Sequence, residues 1–269
     1  MPLFFSGKIN DIDFLISSIF AFIVFSMVAS AVYILNDIRD ISIDSIHPRK
    51  KFRPIASGEI SKDLAIRLMG ILLCVSILLS MLLLTYQSLI IIIIYFVLNV
   101  AYSYYLKNLL IIDLIVIALG FVLRLFLGST VSDSPLSYWI VIMTFLLAIF
   151  LGLGKRRDDV LLFIYSGKKM RKVVDEYNIK YIDNAMIIFA TTIVIVYFLF
   201  ATSSEVQSRM NSSYIFSTTI FVILGLLRYL QLSFINQNTG SPVSIVLKDK
   251  FIQIMIFLWV SFYVNVIYL

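Results

Sequence analysis

Of the 269 residues, 61% are hydrophobic and 14% are charged, against roughly 45–50% apolar and about 25% charged in an ordinary soluble domain. That balance excludes a soluble core and fits a chain whose solvent is lipid. The net charge of +6 does not mark a nucleic-acid partner, because the charges are confined to a few loops. The single cysteine, Cys74, excludes a disulfide within the chain, and its run Leu72-Leu73-Cys74-Val75 reads as a site for a small buried hydrophobe.

Eight apolar runs reach the ~20 residues a helix needs to cross a bilayer: 14–35, 64–84, 88–106, 109–131, 136–154, 182–202, 214–232 and 251–269. Each is too long for a strand, and backbone groups in lipid must be satisfied within their own segment, so the expected fold is an all-α, polytopic membrane helical bundle. Most of the 22 lysines and arginines fall in loops 36–63, 155–181 and 228–250, and the alternate connections are nearly bare. The positive-inside rule puts the basic loops in the cytoplasm and, on a count of eight, both termini outside. No cleavable signal peptide is expected, since no basic stretch precedes the first apolar run. A single transmembrane domain over 1–269 is expected, with loops 36–63 and 155–181 forming the site. Their places after spans one and five hint at two four-helix halves.

The first long loop opens with Asn36-Asp37-Ile38-Arg39-Asp40-Ile41-Ser42-Ile43-Asp44. If the helix continues past the membrane face, Asp37, Asp40 and Asp44 stand at i, i+3 and i+7, within about 60° of one another at ~100° per residue. Three carboxylates on one stripe repel unless a cation joins them. Hard oxygen ligands suit Mg²⁺, which binds through a few carboxylates plus substrate phosphates. Asn36 borders the stripe. The bland alternative is a solvated helix end balancing the loop's cations.

A basic turn follows, His47-Pro48-Arg49-Lys50-Lys51-Phe52-Arg53-Pro54-Ile55-Ala56-Ser57-Gly58. Its prolines fix the backbone and Gly58 permits a turn. Arg53 and Lys50 offer phosphate a planar fork and a compact charge. His47 is a phosphate donor, a base or a structural turn residue. The stretch Asn36–Asp44 resembles the NDxxDxxxD motif of the UbiA-type intramembrane prenyltransferase superfamily. His47-Pro48, Lys50 and Arg53-Pro54-Ile55-Ala56-Ser57-Gly58 more narrowly resemble its decaprenyl-phosphate phosphoribosyltransferase branch.

The fifth span ends in Gly152-Leu153-Gly154-Lys155-Arg156-Arg157-Asp158-Asp159. On a continuing helix Lys155 and Asp159 share a face. The run is similar to the branch's GKR-plus-acid motif, with Asp159 in place of glutamate. Ordinary superfamily members carry a second DxxxD there, whereas this chain has Leu162 and Phe163 where the second acid would fall. One acidic and one cationic pole result, and they favour a second phosphate over a second metal cluster. Gly167-Lys168-Lys169-Met170-Arg171-Lys172-Val173 also resembles the branch, as do Arg228-Tyr229, Gly240-Ser241-Pro242 and Leu247-Lys248-Asp249. Within the fourth span, charges are costly and face a cavity or a partner. Asp113 is expected at the interface and Arg124 at a ligand cavity. Lys107, in the preceding turn, is placed to reach phosphate.

The resemblance implies a bacterial inner-membrane enzyme with its site open to the cytoplasm. It transfers 5-phosphoribosyl from phosphoribosyl pyrophosphate to a polyprenyl phosphate and releases diphosphate. Asp37, Asp40 and Asp44 are the expected metal ligands, and Asn36, Lys50, Arg53, Lys107, Arg124, Lys155, Arg156 and Asp159 the expected substrate contacts. Family members have nine spans; this sequence opens at Pro2-Leu3-Phe4-Phe5-Ser6-Gly7-Lys8, which resembles the end of their first helix, so the start is misassigned or truncated, or the protein has eight. Two rivals stand: prenyl transfer from a prenyl diphosphate to an aromatic or other acceptor, and a non-catalytic lipid-binding or transport protein.

Overall fold

All eight apolar runs are helical in the computed structural model, which describes residues 2–47, 50–166, 178–235 and 242–268. In chain order the helices are α1 (Pro2–Phe5), α2 (Ile12–Asp44), α3 (Lys62–Leu83), α4 (Tyr86–Tyr104), α5 (Ile112–Ser132), α6 (Tyr138–Ser166), α7 (Ile179–Thr202), α8 (Ser204–Arg209), α9 (Thr219–Phe234), α10 (Pro242–Lys248) and α11 (Lys250–Tyr268). The eight long ones are long and apolar enough to cross a membrane. The motif expected at 167–173, residues Gly240 and Ser241, and Pro48 and Arg49 lie outside the described residues.

Polar caps start these helices where the sequence changes character. The Asp11 carboxylate accepts the Asp13 and Phe14 amides at the start of α2, and Ser61, Thr85 and Asn178 do the same for α3, α4 and α7. Two helices are longer than a bilayer requires. At about 1.5 Å per residue, α2 with its 33 residues spans about 50 Å, and α6 with 29 spans about 44 Å, against a hydrocarbon core of ~30 Å. Their last turns therefore project beyond the membrane as helix, carrying Asp37–Asp44 and Lys155–Asp159. This corrects the expectation of loops beginning at 36 and 155: the irregular segment after α2 starts only at Ser45.

Contacts group the eight spans four and four. In the first unit α2 is the hub, packing against α3, α4 and α5. Its buried positions Ala21, Val24, Phe25, Val28, Ala29 and Val32 recur at helical spacing and meet Ile92, Tyr95, Leu127 and Val131. In lipid such packing stabilises through dispersion and close approach, for which small residues such as Ala21 and Ala29 are suited. Cys74, expected to be buried, is exposed on α3; an apolar run in lipid has no solvent-facing side from which a small hydrophobe must hide. In the second unit α6 packs on α7, α7 on α9, α9 on α11, and the short α10 on α6 and α11. There Tyr197 Oη lies 2.6 Å from Thr218 Oγ1 and 3.1 Å from Tyr263 Oη, and accepts from Trp259 Nε1 at 2.7 Å. These contacts satisfy buried hydroxyls across three elements.

Candidate active site

The stripe on α2 is held by cations that arrive from two directions. Arg53 Nη1 donates to Asp37 Oδ1 at 2.6 Å and to Asp44 Oδ2 at 2.8 Å. Lys50 Nζ lies 3.8 Å from Asp44 Oδ1. From the turn between α4 and α5, Lys107 Nζ donates to Asp40 Oδ1 and to Asn36 Oδ1 at 3.4 Å, and Asn36 Nδ2 donates to Asp40 Oδ2 at 3.1 Å. Six of the sequence-predicted residues, Asn36, Asp37, Asp40, Asp44, Arg53 and Lys107, are thus joined in two ion-paired groups, with Lys50 at their margin.

The local backbone explains how the cations get there. Pro54, Gly58 and the short 3-10 turn Lys50–Phe52 fold the chain back on the end of α2, and Gly58 has φ +85°, a conformation that favours glycine. His47 is buried, and its Nδ1 accepts the Lys50 amide at 3.2 Å. Of its three readings, the structural turn residue is the one this contact supports. Lys107 lies in a 3-10 turn that leads to Ile111 at φ +68°. A β-branched residue there is strained by about 1–3 kcal/mol.

Burial is graded along the stripe. Asp44 is 2% exposed at its side chain, Asp40 20% and Asp37 24%. The open end of the stripe is therefore Asp37 and Asp40, and Asp44 anchors the turn. Among the described residues no three acidic, histidine or cysteine side chains meet as one metal-holding group; Asp37 and Asp44 converge on one point and Asp40 turns to Lys107. Two converging carboxylates with the remaining positions left to phosphate oxygens and water are nevertheless an ordinary Mg²⁺ arrangement, and the donor set is all oxygen. The residues fit the ion.

The end of α6 is built differently. Arg156 and Arg157 are buried, and Lys155 is exposed. Arg156 Nη1 donates to Asp159 Oδ2 at 3.1 Å, an acid–base pair between residues three apart on this helix. Arg157 was not expected to matter. Its Nε donates to Asp183 Oδ1 at 2.7 Å and its Nη1 to the Ser233 carbonyl at 2.6 Å, tying α6 to α7 and α9, with Phe234 beneath the guanidinium. The available signal was Asp183 itself, a carboxylate within the apolar run 182–202. A Cβ added at Gly154 would collide with the Tyr229 hydroxyl, so the absence of a side chain there lets α9 approach α6.

Two charges stand within the apolar run of α5. Arg124 stacks over Phe121, Phe25 and Tyr95 at 4.9, 5.3 and 6.0 Å and lines an open, largely apolar groove of about 480 Å³ with Leu3, Phe22 and Gly128. Phe25 is 12 residues before Asp37 on α2, about 18 Å along the helix, so Arg124 is not brought to the aspartates. Asp113, expected at the interface, stands in the first turn of α5 and is buried against protein, 1% exposed. A carboxylate is favoured there by the amide dipoles of a helix start.

The UbiA prenyltransferase family pattern matches residues 4–259. The chain belongs to that family. It is 32% identical over 247 residues to the decaprenyl-phosphate phosphoribosyltransferase of Mycolicibacterium smegmatis, covering 90% of this chain and 77% of the relative. To the enzyme of the same name from Corynebacterium glutamicum it is 30% identical over 250 residues, 93% and 75% of the two chains. The fold matches a UbiA homolog from Archaeoglobus fulgidus bound to GPP and Mg²⁺ with a TM-score of 0.69 at 19% identity, over 100% of this chain and 94% of that one. The chain is therefore an all-α, multi-pass membrane protein of the decaprenyl-phosphate phosphoribosyltransferase branch of a transferase family, and Mg²⁺ is bound in a solved structure of its fold.

Proposed function

We propose that this protein transfers 5-phosphoribosyl from phosphoribosyl pyrophosphate to a polyprenyl phosphate, with diphosphate as the leaving group. The observation that carries the reading is the inequality of the two helix ends. The end of α2 presents a row of carboxylates with cations beside it. The end of α6 presents Lys155, Arg156 and Asp159, and has Leu162 and Phe163 where a second acidic row would need carboxylates. One end is suited to a metal diphosphate and the other to a phosphate without a metal. The names of the relatives support the same choice.

In this reading Asp37 and Asp44, whose carboxylates converge, would hold the Mg²⁺ of a bound diphosphate, with Asp40 beside them on the stripe. The ion, when bound, neutralises the leaving group as the bond from the anomeric carbon breaks. Arg53, Lys50 and Lys107 donate to the diphosphate oxygens. Lys155 and Arg156 hold a phosphate group, with Asp159 fixing the Arg156 guanidinium. A phosphate-monoester oxygen attacks the anomeric carbon from the face opposite the departing diphosphate, which inverts that carbon. The nucleophile is already anionic, so no side chain need remove a proton. The basic segments after α2 and α6 support a site open to the cytoplasm, by the positive-inside rule.

The test uses purified protein, Mg²⁺, polyprenyl phosphate and phosphoribosyl pyrophosphate labelled in the ribose. Label entering the lipid fraction, with one diphosphate released per transfer, is the expected result. Absence of labelled lipid, together with turnover of a prenyl diphosphate onto an aromatic acceptor, would sink the proposal. Turnover of neither substrate, by protein that binds the lipid, would favour the non-catalytic rival.

A further inference from the structure

We infer that Arg53 is a built-in counter-cation of the aspartate stripe: its guanidinium and the metal ion compete for Asp37 and Asp44, and the arrival of a metal diphosphate moves Arg53 from carboxylate to phosphate. The inference rests on the proposed role of the stripe and goes beyond it, because it assigns the site a charge exchange and assigns Arg53 both of its positions.

Three observations support it. A single atom, Arg53 Nη1, lies 2.6 Å from Asp37 Oδ1 and 2.8 Å from Asp44 Oδ2. It stands between the two carboxylates at the point a bridging cation would take. The guanidinium nitrogen fills the bridging point itself, so a metal ion that spans the same two oxygens must displace it from there. Second, the Arg53 side chain is 38% exposed, against 2% for Asp44. The carboxylate is fixed and the guanidinium is the partner with space to leave. Third, Arg53 is delivered by the segment between α2 and α3 and not by a transmembrane helix. Its removal breaks two ion pairs but no helix packing.

The chemistry of the exchange is balanced. Apart from substrate, closely spaced carboxylates need positive charge, and Arg53 supplies it. A metal diphosphate brings both a divalent cation for the carboxylates and anionic oxygens for the displaced guanidinium, whose planar fork matches phosphate in two-point contact. Metal alone brings only the first, so it must displace Arg53 without compensation. The site then binds metal weakly by itself and strongly with diphosphate, which couples ion capture to substrate capture.

Arg39 is the natural control. It lies on α2 among the same aspartates, but its guanidinium stacks on Tyr104 at 4.4 Å. Arg39→Gln removes the same formal charge as Arg53→Gln. Mn²⁺ binding, read by electron paramagnetic resonance on purified protein without any phosphate ligand, tests the exchange. Arg53→Gln is expected to lower the Mn²⁺ Kd about tenfold relative to the parent, and Arg39→Gln less than about threefold. With saturating Mg²⁺, Arg53→Gln is expected to weaken inorganic diphosphate binding by about tenfold, the opposite sign. Arg53→Lys keeps a cation on a narrower head that bridges the carboxylates less well, so its Mn²⁺ Kd falls by a smaller factor. If Arg53→Gln does not fold, the Lys variant carries the test alone.

Unchanged or weaker Mn²⁺ binding in the Arg53 variants, or an equal gain in Arg39→Gln, overturns the exchange. Neither binding measurement uses phosphoribosyl pyrophosphate or lipid. A protein that transfers phosphoribose but shows no gain of metal affinity refutes the exchange and leaves the function standing; the converse result does the reverse.

Discussion

The projecting ends of α2 and α6 are both helical extensions of a membrane span with acids and bases in close sequence, yet they use charge in opposite ways. On α2 the acids lie on the helix and their partners come from other segments: Arg53 from the following turn and Lys107 from the turn between α4 and α5. These pairs are partly exposed and exchangeable. On α6 the bases lie on the helix, and Arg156 and Arg157 are buried. Arg156 is satisfied by Asp159 within the same helix, and Arg157 by Asp183 on α7 and by the Ser233 carbonyl on α9. An exposed pair contributes little to stability and is free to be replaced by a ligand. A buried guanidinium bonded to two neighbouring helices, as Arg157 is, costs more to strip of its partners and acts as a fastener. One end is therefore built to exchange its partners, while Arg157 at the other ties α6 to its neighbouring helices.

The comparison breaks most visibly under substitution of the open acids. Asp37→Asn or Asp40→Asn should reduce phosphoribosyl transfer by at least about 100-fold, equivalent to about 2.7 kcal/mol of barrier, while the thermal unfolding midpoint stays near that of the parent. A fall of less than tenfold would put the α2 end outside the chemistry. The fastener at the other end should show the reverse. Arg157→Ala removes the hydrogen bonds to the half-buried Asp183 and to the Ser233 carbonyl and should lower stability by about 2 kcal/mol, read as a drop in unfolding temperature in detergent. An unaltered midpoint would show that the buried pair is not structural.

A smaller effect is expected at Gly154. Alanine there forces the Tyr229 ring aside, and overpacking of this kind costs about 1–3 kcal/mol. Tyr229→Phe in the same chain, which removes the clashing hydroxyl, should recover part of the loss. The smallest effect belongs to Asp249. It accepts from Arg228 Nη2 at 2.8 Å and Nε at 3.1 Å and also caps Ile252. The hydrogen bond from Arg228 is the main cause that holds its carboxyl below the ordinary range. A depressed carboxyl stabilises the fold above its unfolded pKa of about 3.9, and the contribution fades as pH falls through the lower folded value. The difference in unfolding temperature between parent and Asp249→Asn should therefore be widest near neutrality and close below about pH 4. A gap that persists in acid would assign the loss to something other than the ion pair.

Much of this was legible in the sequence, for identifiable reasons. The eight spans were readable because length and hydropathy alone decide whether a helix crosses a bilayer. The aspartate stripe was readable because its spacing is a property of one helix. Arg53 and Lys107 could be named as phosphate-binding candidates, but not as the partners of particular aspartates. Pairing between positions 16 and 67 residues apart depends on how two turns fold back. The roles of Arg156 and Arg157 were harder to read, since adjacent arginines on a helix point in different directions and only packing decides which one meets a neighbouring helix. The burial of Asp113 was not readable, because hydropathy gives a residue's depth and not which protein surface covers it.

The central claim is that the α2 end takes the diphosphate of phosphoribosyl pyrophosphate through a metal. Equilibrium binding of labelled phosphoribosyl pyrophosphate to the purified protein, without lipid, tests it most directly. Binding that requires Mg²⁺ in the parent and is lost in the Asp37→Asn, Asp40→Asn double variant is the predicted result. Equal binding by parent and double variant, or parent binding indifferent to Mg²⁺, would contradict it.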